Sequence, residues 1–300
     1  YKTRGSCIVE IETNDGIVGW GECYGPSAVS KAFIDTQFGP RIIGRDPFDV
    51  EVIWEDLYNR IKDYGTTGMA ISAISGIDIA LWDIFGKITG QPIGRFFGGR
   101  LREKVMPYAS LLMDEPKIMN ANLTELRGQG FKAFKIGWGT FGRIDTANDE
   151  LLVKSARQAI GDDCFLAVDA GGSDAYWRGN LRWAINASKM LADYNVGWFE
   201  EALRPDDLAD FIELRKQSPV PISGCEVLTR RQSFTPFITE RAFDIIQPDV
   251  TKVGGIGEFR RIAAMADEYA IRVIPHGWNT AIGLAVDLQL SSAILTAEKV

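Results

Sequence analysis

Three hundred residues, 46% hydrophobic and 24% charged, can bury a large core in one large domain or two moderate ones. A net charge of −7 argues against a nucleic-acid partner or an anionic membrane surface, since both reward clustered Lys and Arg. It leaves room for an anionic small molecule wherever a metal ion reverses the local field. Cys7, Cys23, Cys164 and Cys225 fall into no zinc or redox motif and read as reduced thiols of a cytoplasmic protein. No apolar run approaches the roughly 18 to 20 residues of a membrane span, and no signal-peptide pattern is present. The sequence opens with Tyr1 directly into a strand-like run, as expected of a piece of a longer chain.

The first elements alternate apolar and polar residues at Cys7–Glu12 and Val18–Cys23, around the hairpin signal Asn14-Asp15-Gly16. Helical periodicity follows at 28–38, 50–62 and 69–89, and a Gly-rich stretch closes this part at Phe97-Gly98-Gly99. Strands followed by helices predict an α+β domain over residues 1–104. From about Val105 the rhythm becomes strand, helix, strand, helix. Short apolar runs predict strands at 106–112, 133–136, 165–169, 197–200, 221–226, 245–249 and 271–276. Helical patterns include 182–194, 208–217, 257–269 and 281–295. This alternation predicts a parallel sheet over residues 105–300, open or closed.

The polar residues favour closure. Asp169, Glu200, Glu226, Asp249 and His276 each end an apolar strand, at spacings of 31, 26, 23 and 27 residues, each close to one strand-helix unit. In a (β/α) barrel those strand ends converge on one mouth, whereas an open sheet spreads them along an edge. Three acids from successive strands suit Mg²⁺, a hard cation that takes oxygen ligands and keeps positions open for substrate or water. An acid after a strand can also simply cap the next helix, but three in succession, two of them Glu, fit that role poorly. Alternation lets only one of Glu200 and Glu201 point inward, and parity with Trp198 or Phe199 leaves the choice open.

His276 is the one histidine of the chain. Its strand neighbours the one that ends in Asp249, and an Asp on one ring nitrogen prepares the other to take a proton. Lys135 ends the second strand, roughly across such a mouth from His276. A substrate between them meets a cation on one face and a base on the other. Lys132 and Lys252, on the opposite parity, are expected to reach for solvent. These parts suit removal of a proton α to a carboxylate, where the dianionic enediolate needs a metal and a cation for stability.

The chain also resembles the enolase superfamily, and within it the mandelate racemase subgroup. The resemblance rests on Ala80-Leu81-Trp82-Asp83-Ile84 with Gly86-Lys87, Gly130-Phe131-Lys132-Ala133-Phe134-Lys135, Val168-Asp169-Ala170, Trp198-Phe199-Glu200-Glu201, Gln247-Pro248-Asp249, Gly254-Gly255 and Pro275-His276. It implies a (β/α)₇β barrel under an N-terminal α+β capping domain, with the loop before the first hairpin and the last strand outside residues 1–300. It also implies Mg²⁺ on Asp169, Glu200 and Glu226, and a His276–Asp249 dyad acting with Lys135. A Lys or His base working with magnesium is a general property of enolase-superfamily sites rather than a deduction from these residues. A homo-oligomer is expected by analogy. Two departures stand out. The subgroup often carries Lys-x-Lys at the second strand, where this chain has Lys135-Ile136-Gly137. Counting from Gly130-Phe131 puts Lys135 first and Gly137 second; counting back from Ile136-Gly137 puts Lys135 second. The Asp-x-Asn of the third strand is Asp169-Ala170-Gly171.

With one lysine absent, a racemase with two bases is harder to build than a dehydratase. The expected reaction is dehydration of a sugar acid to a 2-keto-3-deoxy acid. Racemisation, epimerisation or cycloisomerisation is the alternative, and a non-catalytic relative that binds metal or ligand is the alternative from another class. The substrate is a small carboxylate whose binding residues the sequence does not name. Tyr64–Met69 is a candidate pocket segment.

Overall fold

The computed structural model describes residues 5–295. Their packing forms two compact units, one of residues 5–105, 226–236 and 247–295, the other of residues 106–225 and 237–246.

The first unit begins with the expected hairpin. β1 (Cys7–Glu12) and β2 (Val18–Cys23) are antiparallel, with Cys7 opposite Cys23. Helix α1 (Ser27–Phe33) passes into a π turn at Ile34–Phe38 and then α2 (Gly39–Ile42), where periodicity predicts one continuous helix. α3 (Val50–Ile61) and α4 (Met69–Thr89) match their predicted spans within a residue. Val9, Ile53, Leu57, Ile71, Ile74 and Ile77 form the centre of this core. By length and composition α4 could cross a bilayer, but 72% of its apolar window is buried inside the protein. Ser72, Ser75, Asp78 and Asp83 interrupt it, which is why the sequence shows no unbroken apolar run. It is a core helix.

The second unit is built on parallel strands. β3 (Ala109–Leu112), β4 (Ala133–Gly137), β5 (Phe165–Asp169), β6 (Trp198–Glu200), β7 (Ile222–Gly224) and β8 (Ile245–Ile246) lie in chain order. The helices of this unit are α5 (Pro116–Gly128), α6 (Thr146–Ile160), α7 (Leu181–Asp193) and α8 (Leu208–Gln217), while α9 (Arg230–Thr239) belongs to the first unit as far as Pro236. Register sets one transverse row: Leu112 opposite Gly137, Gly137 opposite Asp169, Asp169 opposite Glu200, and Glu200 opposite Ser223. Two of the predicted acids are thereby direct neighbours.

The chain re-enters the first unit for α10 (Gly255–Glu268), β9 (Arg272–Val273) and α11 (Ala281–Ala293). Neither helix meets the chain's early segments at random. Trp54 Nε1 donates to the Gly254 carbonyl at 2.7 Å, and the Gly254 N–H donates to Ser75 Oγ at 2.9 Å. Asp78 of α4 accepts the Ile256 N–H at 2.6 Å and so caps α10, which has no cap of its own. Likewise Glu22 of β2 accepts the Thr280 N–H (2.9 and 3.0 Å), the Thr280 hydroxyl (2.7 Å) and the Gly283 N–H (3.2 Å), and so holds the start of α11.

Burial pushes Asp78 up to about 8, against the pull of the Ile256 N–H. A carboxyl raised in the folded state stabilises fully below its unfolded value near 3.8, and that stability is lost as pH rises through about 8. Between pH 5 and 8 the wild type is therefore expected to lose stability relative to Asp78→Asn, by up to about 1.4 kcal/mol per pH unit. Parallel urea-denaturation curves for the two proteins across that range would refute the linkage.

Candidate active site

The second unit brings Lys135, Asp169 and Glu200 together. Lys135 sits mid-strand in β4 and is 6% exposed. Its Nζ lies 3.2 Å from Asp169 Oδ2 and is ion-paired with Glu200 Oε1. Indole groups orient both acids: Trp138 Nε1 donates to Asp169 Oδ2 at 3.3 Å, and Trp198 Nε1 to Glu200 Oε2 at 2.9 Å. The Gly171 N–H takes the other Asp169 oxygen at 2.8 Å. Tyr108 presents its ring to the Lys135 ammonium, 5.8 Å from centroid to Nζ. Lys135 is thus a buried, paired cation, and Lys132 the exposed one, 3.8 Å from Asp163.

Glu200 and Glu201 part company at the strand end. Glu201 has a φ of 46° and accepts the Ser173 hydroxyl at 2.6 Å, while Glu200 stays in the strand beside Asp169. A Cβ on Gly137 would lie 2.6 Å from Asp169 Cβ and 2.8 Å from its carbonyl oxygen, so this backbone leaves no room for a side chain there. Lys135 lies beside Asp169 and Glu200, as both counts of this strand allow.

The first unit brings Glu226, Asp249 and His276 together, all buried. His276 Nδ1 is 2.8 Å from Asp249 Oδ2, and Nε2 is 3.3 Å from Glu226 Oε2. Burial opposes the imidazolium, but the Glu226 and Asp249 carboxylates outweigh it and hold His276 above its ordinary value. Asp249 stays below the usual carboxylate range: burial would raise it, but the His276 hydrogen bond and charge prevail. Tyr24 meets the His276 ring edge-on at 6.3 Å.

Sequence reasoning missed several of these groups. Lys252 does not reach for solvent; it is 7% exposed, with Nζ 3.9 Å from the Tyr24 ring centroid. β8 ends at Ile246, so strand alternation says nothing about position 252. Thr251, which gives Asp249 both its N–H and its hydroxyl, had no signal beyond lying two residues on.

Residues 2–98 match the N-terminal domain of mandelate racemase / muconate lactonizing enzyme, and residues 119–299 match the enolase C-terminal domain-like family. The chain belongs to the enolase superfamily, in its mandelate racemase subgroup. Its fold is accordingly a TIM-like barrel with an N-terminal α+β capping domain. It is similar to the D-galactarolactone cycloisomerase of Agrobacterium fabrum, 38% identical over 98% of this chain and 76% of that protein. The arabinonate dehydratase of Saccharolobus solfataricus is 33% identical over 95% of this chain and 76% of its own length. The crystal structure of the 3,6-anhydro-D-galactonate cycloisomerase from Zobellia galactanivorans matches with a TM-score of 0.91 at 34% identity, covering 97% of this chain and 80% of that one. A racemase from Streptomyces coelicolor with bound magnesium matches with a TM-score of 0.87 at 28% identity, covering 96% and 78%.

Proposed function

We propose that this chain removes the proton α to the carboxylate of a sugar acid and expels a β hydroxyl, giving a 2-keto-3-deoxy acid. The observation that carries this reading is the buried His276–Asp249 pair at 2.8 Å, which leaves Nε2 as the nitrogen able to take a proton. On this reading residues 105–300 form the barrel domain that carries the six site residues, and residues 1–104 form the cap.

The donor set fits magnesium. Asp169, Glu200 and Glu226 are buried acids, each with a carboxylate oxygen to offer a hard cation. The ion they would hold supplies electrostatic stabilisation to a carboxylate whose α carbon is losing its proton. A cation there would also offset the Glu226 charge, leaving Asp249 as the main support of the His276 imidazolium. Lys135 adds a fixed positive charge beside Asp169 and Glu200.

The proton balance is simple. His276 Nε2 takes the α proton; the C–H electron pair forms the new C–C double bond as the β C–O bond breaks. In a syn elimination the same imidazolium returns its proton to the leaving oxygen, so water departs and the enol relaxes to the keto acid. One base suffices. A second reading, cycloisomerisation, is supported by the 38% and 34% identities to two cycloisomerases. An isomerase keeps every atom, so product mass separates the two.

A panel of aldonic and aldaric acids and their lactones, incubated with Mg²⁺ in deuterated water, tests the proposal. The expected result is a 2-keto product 18 mass units lighter than its acid, roughly the mass of one water, before isotope correction. A product of unchanged composition would favour cycloisomerisation. Absence of both turnover and α-proton exchange with every acid, despite bound magnesium, would sink the enzymatic reading.

A further inference from the structure

A buried cation that the chemistry above does not use stands in the first unit. Lys252 is 7% exposed, yet among the described residues its ammonium has no hydrogen bond and no carboxylate within ion-pair reach. What faces it is the ring of Tyr24, 3.9 Å from Nζ to centroid. The acids of this region are engaged elsewhere. Asp249 Oδ2 faces His276 and its Oδ1 accepts from Thr251, while Glu226 Oε2 is turned to His276. Glu22 holds the opening amides of α11.

Backbone hydrogen bonds fix where that ammonium stands. The Lys252 and Val253 N–H groups donate to the Asp249 carbonyl at 3.0 and 2.8 Å, which closes a tight turn directly after the acid of the dyad. The Tyr24 N–H donates to the Thr251 carbonyl at 3.0 Å, so the ring under Lys252 is itself tied to that turn. The same ring meets His276 edge-on, with centroids 6.3 Å apart. Lys252 and the base thus neighbour one tyrosine. An aromatic face offsets only part of the cost of taking an ammonium out of water, and an anion beside it would offset the rest.

We propose that Lys252 binds a second carboxylate of the substrate, so that the sugar acid is an aldaric acid, with a carboxylate at each end. The carboxylate next to the reacting α carbon is accounted for by the proposed magnesium site; Lys252 takes the other. With the α carbon at His276, the far end of a short polyol chain passes Tyr24 and accepts a charge-assisted hydrogen bond from the Lys252 ammonium. The neutral hydroxymethyl end of an aldonic acid accepts far more weakly. Lys252 is a binding residue, and no proton passes through it. The inference rests on the proposed proton transfer at His276 and names the substrate class of that site.

Galactarate, glucarate and mannarate, paired with galactonate, gluconate and mannonate, differ from them only at C6, carboxylate against hydroxymethyl. Binding is read by calorimetry in Mg²⁺, in the wild type and, where a probe turns over, in His276→Asn. The dicarboxylate of at least one pair should bind about ten- to a hundredfold more tightly than its partner. Lys252→Met and Lys252→Gln should each remove most of that preference. The preference is a ratio, so a general loosening that weakens both probes alike does not imitate its loss. Equal affinity within every pair, or no binding of any dicarboxylate, would overturn the proposal without any variant. So would a preference that survives in either variant, with urea titration checking the fold, since the lysine would then only brace Tyr24. Affinity is read without turnover, so absence of dehydration counts against the proposed reaction alone.

Discussion

Replacing His276 with Asn is expected to lower turnover by about 10³-fold or more while magnesium affinity stays near wild type. The substitution is chosen for what it preserves. An Asn amide can still donate to Asp249, so the buried carboxylate keeps a partner in place of the 2.8 Å imidazole bond. What it lacks is a nitrogen that takes up a proton near neutral pH. Exchange of the substrate α proton with solvent deuterium, followed by NMR, should fall in parallel with kcat. Calorimetric titration with Mg²⁺ separates loss of the base from loss of the metal site. Exchange that survives in His276→Asn but vanishes in Lys135→Met would reverse the roles of the two groups.

Glu200→Gln is expected to abolish activity by a different route. Glu200 is fully buried, accepts the Trp198 indole at 2.9 Å, and pairs with Lys135. The amide keeps the shape and an acceptor for Trp198, but it removes one of three carboxylates and turns a donor toward the Lys135 ammonium. Magnesium affinity should fall by about a hundredfold or more, and turnover with it. Linkage offers a readout independent of activity. Magnesium at a hundred times its Kd should stabilise the wild type by about 2.7 kcal/mol and leave the variant nearly unmoved. Equal stabilisation of both proteins would show that the ion binds elsewhere.

The parts that could be read in the sequence are those that depend on neighbours along the chain. Met69–Thr89 and Leu208–Gln217 follow from periodicity, and Phe165–Asp169 from an apolar run with an acid at its end. Asp169 and Glu200 were legible for the same reason, because strands in register bring successive strand ends side by side. Where regular geometry stops, the pattern stops informing. Glu201 leaves the strand through a left-handed φ, and parity could not separate it from Glu200. The π turn at Ile34–Phe38 carries the same apolar spacing as a helix. Thr251 and Asn279 meet across 28 residues, and nothing in either segment names the other.

The carboxylate of Glu22 has a consequence for how such a chain can be cut and recombined. α11 has no acid in its own first turn, and its opening amides, four residues past His276, rely on a carboxylate from a hairpin more than two hundred residues earlier. The early segment is therefore not a removable cover. A chimera that grafts a foreign hairpin onto this chain must carry a Glu at that register, or the loop holding the base loses its anchor together with the graft.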